Sequence, residues 1–189
     1  MAIGVSYSER RGLAVAVGVP MLHGGSPLER GSQYVAESPS EFPYVSGLFV
    51  YREGPAVHAL LNSLPPVLEL LVIFGQGIAH PRGFGMASHI GVLADVPTIG
   101  VTRKRLWGKG PEPAPDTTEP VLLRDNRSNL VGVAMRLSKG GEVIHASPGH
   151  RTDIESVLEF LSSISALRAG LPESLALAQE AANRRAFTK

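Results

Sequence analysis

The sequence contains no cysteine. This absence excludes disulfide bonds, thiolate metal sites and a cysteine nucleophile, and it leaves the redox compartment undetermined. No apolar run approaches the ~20 residues that a helix needs to span a bilayer. Because the chain soon reaches the charged residues Glu9, Arg10 and Arg11, we expect no signal peptide, no membrane contact and a cytoplasmic location. Excess charge is also lacking, since the net charge is +1, so an anionic partner must meet a local basic patch.

A strand, a helix and a second strand follow one another in the middle of the chain. The apolar run Leu70–Phe74 predicts a strand buried on both faces, and a glycine-rich turn follows it. Ala87–Val96 predicts a helix, and Thr98–Val101 predicts a second strand, parallel to the first. Ligands on such sheets bind beyond the carboxyl ends of the strands. That rule brings two segments to one rim, Phe74–Arg82 and Thr102–Gly108.

The remaining pattern predicts a three-layer α/β fold around a mixed sheet, in one domain covering residues 1–189. Further strands are expected at Ile3–Tyr7, Leu13–Val19, Gln33–Ala36, Val121–Arg124, Leu130–Leu137 and Glu142–Ala146. Helices are expected at Ala56–Leu64, ended by Pro65 and Pro66, at Asp153–Leu167 with Thr152 as N-cap, and from Leu171 to Arg185. Tyr44–Tyr51 is predicted to be extended with a bulge at Gly47, and Gly110–Pro120 to be an exposed loop.

Three stretches, in the same order along the chain, resemble one known family. They are Pro43-Tyr44-Val45-Ser46-Gly47 with Tyr51-Arg52-Glu53-Gly54-Pro55, then residues 75–101 beginning Gly75-Gln76-Gly77-Ile78-Ala79-His80-Pro81-Arg82, and finally Ser147-Pro148-Gly149-His150-Arg151. From Ile3 to about Ala178 the sequence resembles endonuclease V, a family that nicks nucleic acid near deaminated adenine. The resemblance implies an RNase H-like sheet and DNA or RNA, including inosine-containing strands, as the partner.

The resemblance also implies hydrolysis that depends on Mg²⁺ or Mn²⁺ held by three acids. One of the three is present as Glu53, whereas Ser6 and Phe74 stand where the family has aspartates. A single carboxylate cannot offset a pair of divalent ions ~3.5–4 Å apart. The loss therefore argues against metal binding here, and we expect a protein that binds nucleic acid with cleavage lost or strongly impaired.

The family's other functional positions fall on named residues of this chain. The resemblance implies catalytic positions at Glu53, His80, Arg103 and His150, and without partner acids Glu53 is expected to pair with Arg103 or a histidine. It implies substrate-binding positions at Tyr44, Val45, Gly47, Phe49, Gly75, Gln76, Gly77, Arg82, Gly85, Met86, Gly100, Lys104 and Leu106. Tyr44 and Val45 match the wedge that fills the gap left by an extruded base. Ser46 replaces a proline common there. Arg103 replaces a lysine and favours holding phosphate over donating a proton.

Two alternatives remain open from the residues. In the first, Glu53, His80 and His150 form a rebuilt site for manganese or zinc, since imidazole suits these metals better than magnesium, or Glu9 or Asp95 substitutes for a lost acid. In the second, the cleft serves a protein or a small ligand. The pattern leaves the choice of DNA or RNA, the preference for inosine and the oligomeric state undetermined.

Overall fold

A computed structural model describes residues 1–64 and 68–188 of the protein. Its centre is an eight-stranded mixed sheet in the order β3-β2-β1-β4-β5-β8-β7-β6. The strands are β1 (Ala2–Ser8), β2 (Leu13–Val19), β3 (Tyr34–Pro39), β4 (Leu71–Phe74), β5 (Thr98–Thr102), β6 (Val121–Arg124), β7 (Leu130–Arg136) and β8 (Val143–Pro148). β4 pairs in parallel with both β1 and β5, while β1 pairs antiparallel with β2. The predicted N-terminal hairpin and the parallel central pair are therefore confirmed.

Helices cover both faces of the sheet and make the three layers that the sequence predicts. Helices α1 (Phe49–Leu61) and α2 (Met86–Ala94) pack on one face, over a core that contains Ile3, Ile73 and Leu60. Helices α3 (Ile154–Ser163) and α4 (Glu173–Phe187) pack on the other face. A small antiparallel pair, β9 (Leu167–Arg168) and β10 (Leu171–Pro172), connects α3 to α4. No helix in the described ranges is long and apolar enough to cross a membrane.

The prediction of an extended segment over Tyr44–Tyr51 is wrong. A four-residue turn closes with a hydrogen bond from the Leu48 N–H to the Val45 carbonyl, and α1 begins directly after it. Pro55 lies inside this helix. Proline normally ends a helix, but here the apolar positions recur at a helical spacing and bury one whole face against the sheet. That tertiary burial outweighs the local preference.

Smaller differences concern helix ends. Asp153, not Thr152, caps α3, because its carboxylate accepts the Ser156 N–H at 2.8 Å, while the Thr152 hydroxyl donates to the Thr98 carbonyl at 2.7 Å. α3 ends at Ser163, before Leu167, because Leu167 pairs in β9. The helix-ending residues Pro65 and Pro66 lie outside the described residues.

Candidate nucleic-acid cleft

A cleft of about 430 Å³ opens at the carboxyl ends of β4 and β5, at the rim that the sequence predicts. It lies between α1, the start of α2 and the segment after β5. Its lining consists of Val5, Gly47, Phe49, Val50, Glu53, Phe74, Gly75, Gln76, His80, Phe84, Gly85, Met86, Thr102, Arg103 and Lys104. Six of the twelve side chains in this set are apolar and one is a carboxylate, so the cleft suits a flat, weakly charged group better than a cluster of ions.

Glu53 points from α1 into the cleft and forms an ion pair with its sequence neighbour. Its carboxylate accepts a hydrogen bond from the Arg52 guanidinium at 3.0 Å, and both side chains are almost fully buried. Burial raises the pKa of Glu53, and the hydrogen bond and charge of Arg52 partly oppose that rise. The expected ion pair between Glu53 and Arg103 does not form. Arg103 instead contacts the Glu142 carboxylate at 3.1 Å and the Ala169 carbonyl at 2.6 Å.

Arg52 is a site residue that the sequence reasoning missed. Its guanidinium carbon lies 4.3 Å from the ring centroid of Tyr7, 5.3 Å from that of Tyr44 and 5.8 Å from that of Phe49. An arginine surrounded by aromatic faces is stabilised by cation–π attraction, most strongly where water is excluded. The available signal was the placement of Arg52 beside an inward-facing acid, which requires a buried countercharge. Arg52 therefore neutralises Glu53 from within the protein.

The two replaced acid positions differ in their geometry. Phe74 ends β4, lines the cleft and also packs against the core on the α3 side. Ser6 does not line the cleft. It pairs with Val15, whose side chain packs against α4, whereas the neighbouring Val5 lines the cleft. Because successive side chains of a strand point to opposite faces, the Ser6 hydroxyl is directed towards α4 and away from the cleft.

The residue beside Phe74 on the neighbouring strand is Gly4. Ile3 pairs with Ile73 in the parallel register, so the next residues along stand side by side. A Cβ on Gly4 would lie 2.3 Å from the backbone nitrogen of Gln179 in α4. The Gln179 side chain also bonds both the N–H and the carbonyl of Val5, at 3.0 and 2.9 Å. Helix α4 therefore packs directly against β1 at Gly4, the position beside Phe74 that a second acid would have to occupy.

The residues present do not fit a divalent metal ion. Of the described residues, Glu53 is the one carboxylate on the cleft wall, and no three histidine or acidic side chains gather into a metal-sized group. His150 lies at the opposite end of β5, where its ring contacts the Asp95 carboxylate at 3.2 Å and its backbone pairs with Thr98. The residues of the alternative manganese or zinc site are therefore not brought together, and Asp95 lies with His150 away from the cleft.

His80 lies at the cleft wall and is almost fully buried. Its Nδ1 accepts the Arg82 backbone N–H at 3.2 Å. Burial lowers the pKa of His80, and the positive charge of Arg82 lowers it further, while interaction with the Gly47 backbone raises it. The ring is therefore neutral at pH 7 and is engaged in contacts within the protein.

Several of the predicted glycines serve close packing of the chain against itself. A Cβ on Gly77 would lie 1.8 Å from the Pro148 carbonyl oxygen, and one on Gly100 would lie 2.5 Å from that of Gly75. The Gly77 N–H is taken by the Ser147 hydroxyl at 2.8 Å. Gly77 and Gly100 do not line the cleft, whereas Gly75 and Gly85 do. These glycines let the turn after β4 lie directly on β5 and β8, which shapes the cleft from behind.

The segment after β5 is only partly available to an anion. Lys104 lines the cleft and is exposed, but Arg105 is held by the Gly110 carbonyl at 2.7 Å and by the Glu112 carboxylate at 3.2 Å. Leu106 does not line the cleft, and Trp107 packs against a small core cluster. Tyr44, which is 60% exposed, and Val45, 39% exposed, lie outside the cleft lining on the turn before α1.

Thr102 lines the cleft from the rim segment that the sequence predicts, and three apolar residues complete the lining without having been predicted: Val5, Val50 and Phe84. Val5 lies on a strand next to a predicted position, so the pairing of neighbouring strands was the available signal. Val50 faces the cleft because residues 49–61 form a helix and not the predicted extended segment. Phe84, which is 46% exposed, follows the tetrad that contains His80.

The mixed sheet, the helices on both faces and the cleft at the strand ends define an RNase H-like α/β protein. A family model described as Endonuclease V matches residues 2–180 of the chain. Endonuclease V of Thermus thermophilus is 40% identical over 184 residues, which cover 94% of this chain and 78% of that protein. The chain therefore belongs to the endonuclease V family, whose members in general depend on a divalent metal ion.

Two solved structures illustrate the similarity. Endonuclease V from Streptomyces avermitilis has a TM-score of 0.81 and 31% identity, covering 97% of this chain and 79% of that chain. Ciona intestinalis endonuclease V has a TM-score of 0.78 and 20% identity, covering 97% and 84%. The Ciona protein was solved in complex with a 24mer DNA containing an inosine followed by a ribo-adenosine. The predicted fold and family are thus confirmed.

Proposed function

We propose that this protein binds inosine-containing DNA or RNA in the cleft and has lost, or nearly lost, metal-dependent cleavage. The observation that carries the proposal is the buried Arg52–Glu53 ion pair, formed at 3.0 Å, in which Glu53 lines the same cleft as Phe74. We propose further that residues 1–189 act as one domain in the cytoplasm. Membership of the endonuclease V family supports a nucleic-acid partner.

The charge at the cleft floor argues against hydrolysis. Glu53 contributes −1 and Arg52 contributes +1, so their sum is zero where the family reaction needs negative charge to hold divalent ions. A divalent ion at Glu53 would also have to displace Arg52 or approach its positive charge. Phe74 adds an apolar ring to the same wall. The other described residues of the lining can bind and orient a strand, and they add no second carboxylate that would hold the metal ions.

The mouth of the cleft supports binding. Lys104 offers an exposed cation, and the exposed Tyr44 ring lies on the turn beside the opening. Inside, Phe49, Phe84 and Met86 provide apolar surfaces. Aromatic rings stack with bases and cations track phosphates, which is the combination that proteins use on unpaired strands.

Cleavage is tested with inosine-containing DNA and RNA in Mg²⁺ and in Mn²⁺, with a Glu53→Ala variant as control. We expect no nicking, or a rate far below that of an intact family member assayed in parallel. Turnover by the unaltered protein that disappears in Glu53→Ala would overturn the proposal. Phe74→Asp adds a second carboxylate at the strand end and is expected to increase Mn²⁺ affinity, measured by calorimetry.

Binding is tested by its dependence on salt. Each released counterion changes the slope of log K against log salt by ~0.7–0.9. Lys104→Ala is expected to reduce the slope by about that amount. Lys139→Ala removes an exposed cation from the β7–β8 connection and is expected to leave it unchanged. Equal slopes for the two variants would show that Lys104 does not contact the phosphates of the bound strand.

The apolar lining supports a second candidate, a site for a small aromatic ligand such as a free nucleoside. Three phenylalanine rings, those of Phe49, Phe74 and Phe84, line the same cleft. Titration with free inosine separates the two functions. Tight binding that is insensitive to salt, together with no measurable affinity for oligonucleotides, would favour the small-ligand site.

A further inference from the structure

The turn formed by residues 45–48 is held from outside by the segment that follows β4. Its own hydrogen bond joins the Leu48 N–H to the Val45 carbonyl at 2.9 Å. Gly47 occupies the third position with φ +76°, a conformation that glycine adopts at little cost. The Gly47 carbonyl then accepts a hydrogen bond from the Arg82 guanidinium at 3.2 Å.

His80 supports the same point of the turn. Its Nε2 lies 3.2 Å from the position that a Cβ on Gly47 would occupy, and the Arg82 guanidinium nitrogen lies 2.9 Å from it. The His80 Nδ1 accepts the backbone N–H of Arg82, which fixes the position of Arg82 relative to the ring. The three residues form a closed set of contacts, and we call it the Gly47 clasp.

We propose that His80 and Arg82 are positioning residues that hold the Tyr44–Val45 wedge in place through the Gly47 clasp. The clasp is needed because the turn has Ser46 at its second position, where proline is favoured for its fixed φ. Without that restraint the turn opens more easily, and contacts from His80 and Arg82 supply the missing order. His80 was expected to be catalytic, and this inference gives it a different role.

The inference rests on the proposed function for its consequence. A wedge must be in position to fill the gap left by a base drawn out of a duplex, whereas an unpaired base leaves no such gap. Loosening the clasp should therefore weaken binding to duplexes and spare binding to single strands. A residue that contacts the strand directly would weaken both.

The clasp itself is tested in the free protein, by hydrogen exchange of the Leu48 amide. Loss of one hydrogen bond should speed its exchange by about 3- to 10-fold in His80→Ala and in Arg82→Ala. The double variant should exceed either single variant only slightly, because His80 acts on the turn through Arg82, whose backbone N–H it accepts. The Gly12 amide, bonded to the Glu9 carbonyl in the β1–β2 turn, should exchange at an unchanged rate. Unchanged exchange of Leu48 would overturn the proposal.

A compensating variant distinguishes a loss of order in the 45–48 turn from a general loss of stability. Ser46→Pro in the His80→Ala background is expected to slow the exchange of Leu48 again, by about 2- to 5-fold, because proline restricts the open turn. The same pair of variants is measured for affinity to an inosine-containing duplex and to the matching single strand. His80→Ala should reduce the duplex affinity at least about 3-fold more than the single-strand affinity, and Ser46→Pro should restore the difference.

Equal losses for duplex and single strand, or no recovery with Ser46→Pro, would overturn the positioning role. If neither oligonucleotide binds to the unaltered protein, the proposed function fails, and the exchange of Leu48 still decides whether the clasp exists.

Discussion

Replacing Arg52 with methionine tests how the protein tolerates a buried acid without metal. Arg52 is 8% exposed, and among the described residues its one close carboxylate partner is Glu53 at 3.0 Å, since Glu9 lies 3.9 Å away and is 79% exposed. Breaking a buried ion pair by removing one partner costs about 3–5 kcal/mol, because the remaining charge stays buried. Methionine keeps the volume and the contact with the aromatic rings, so the effect isolates the charge.

The cost has an upper limit that depends on pH. Glu53 can escape the penalty by taking up a proton, and protonating a carboxyl group of ordinary pKa about 4.3 costs about 3.7 kcal/mol at pH 7 and about 1 kcal/mol at pH 5. Burial already raises the pKa of Glu53, and loss of Arg52 raises it further. The folded state then binds this proton more tightly than the unfolded chain does, so the penalty grows as pH rises. We expect Arg52→Met to lose about 3–4 kcal/mol at pH 7 and about 1–2 kcal/mol at pH 5.

Urea unfolding at the two pH values measures this difference. Glu53→Gln in the Arg52→Met background should recover most of the loss at pH 7. Arg103→Met is the matched control, because it breaks the exposed ion pair with Glu142, which is worth about 0–1 kcal/mol. A loss from Arg52→Met that is the same at pH 5 and pH 7, or that Glu53→Gln does not relieve, would refute the reasoning.

Further predictions concern the packing, the pH dependence and a helix cap. Gly77→Ala should cost more than about 3 kcal/mol, since its Cβ would lie 1.8 Å from the Pro148 carbonyl oxygen. Gly83→Ala, at φ +63° with no atom within 4 Å of its Cβ, should cost about 1–2 kcal/mol in urea unfolding, and equal losses would contradict the packing argument. Burial lowers the pKa of His145. The stability of the fold with a neutral His145 is therefore complete above about pH 6.5 and is lost as pH falls, because the unfolded chain takes up the proton first. His145→Gln should reduce the loss of unfolding free energy below about pH 6.5. A pH dependence equal to that of the unaltered protein would contradict this role. Asp153→Ala should cost about 1 kcal/mol by removing the α3 cap, and an unchanged thermal midpoint would contradict that role.

The central strands and the rim of the cleft were predictable because their signals are local. The parallel pair is indicated by signals that lie within about thirty residues of chain. These are the continuous apolar run of β4, the glycines after it and the apolar run of β5. Antiparallel hairpins such as β1–β2 are equally local, because a short polar turn separates two apolar runs. The family resemblance then indicated which residues lie at the cleft, and that Ser6 and Phe74 stand where the family has aspartates.

Helix α1 was misjudged because its decisive interactions are distant in the chain. Pro55 and the aromatic residues before it favour a break and an extended segment. The burial of the whole helical face on the sheet reverses that preference. The same kind of interaction hid Arg52, whose aromatic surroundings come partly from Tyr7, far away in sequence.

The sequence by itself determined the family, the order of the main strands along the chain and the residue types at Ser6, Glu53 and Phe74, because each of these depends on residue type and spacing. Tertiary structure alone decided which groups meet. It joined Glu53 to Arg52 and turned Ser6 towards α4. It also carried His150 to the far end of β5 and brought His80 against Gly47. The physical reason is that charge compensation and contact are set by distances in space, and those distances exist only once the sheet has paired and its helices have packed.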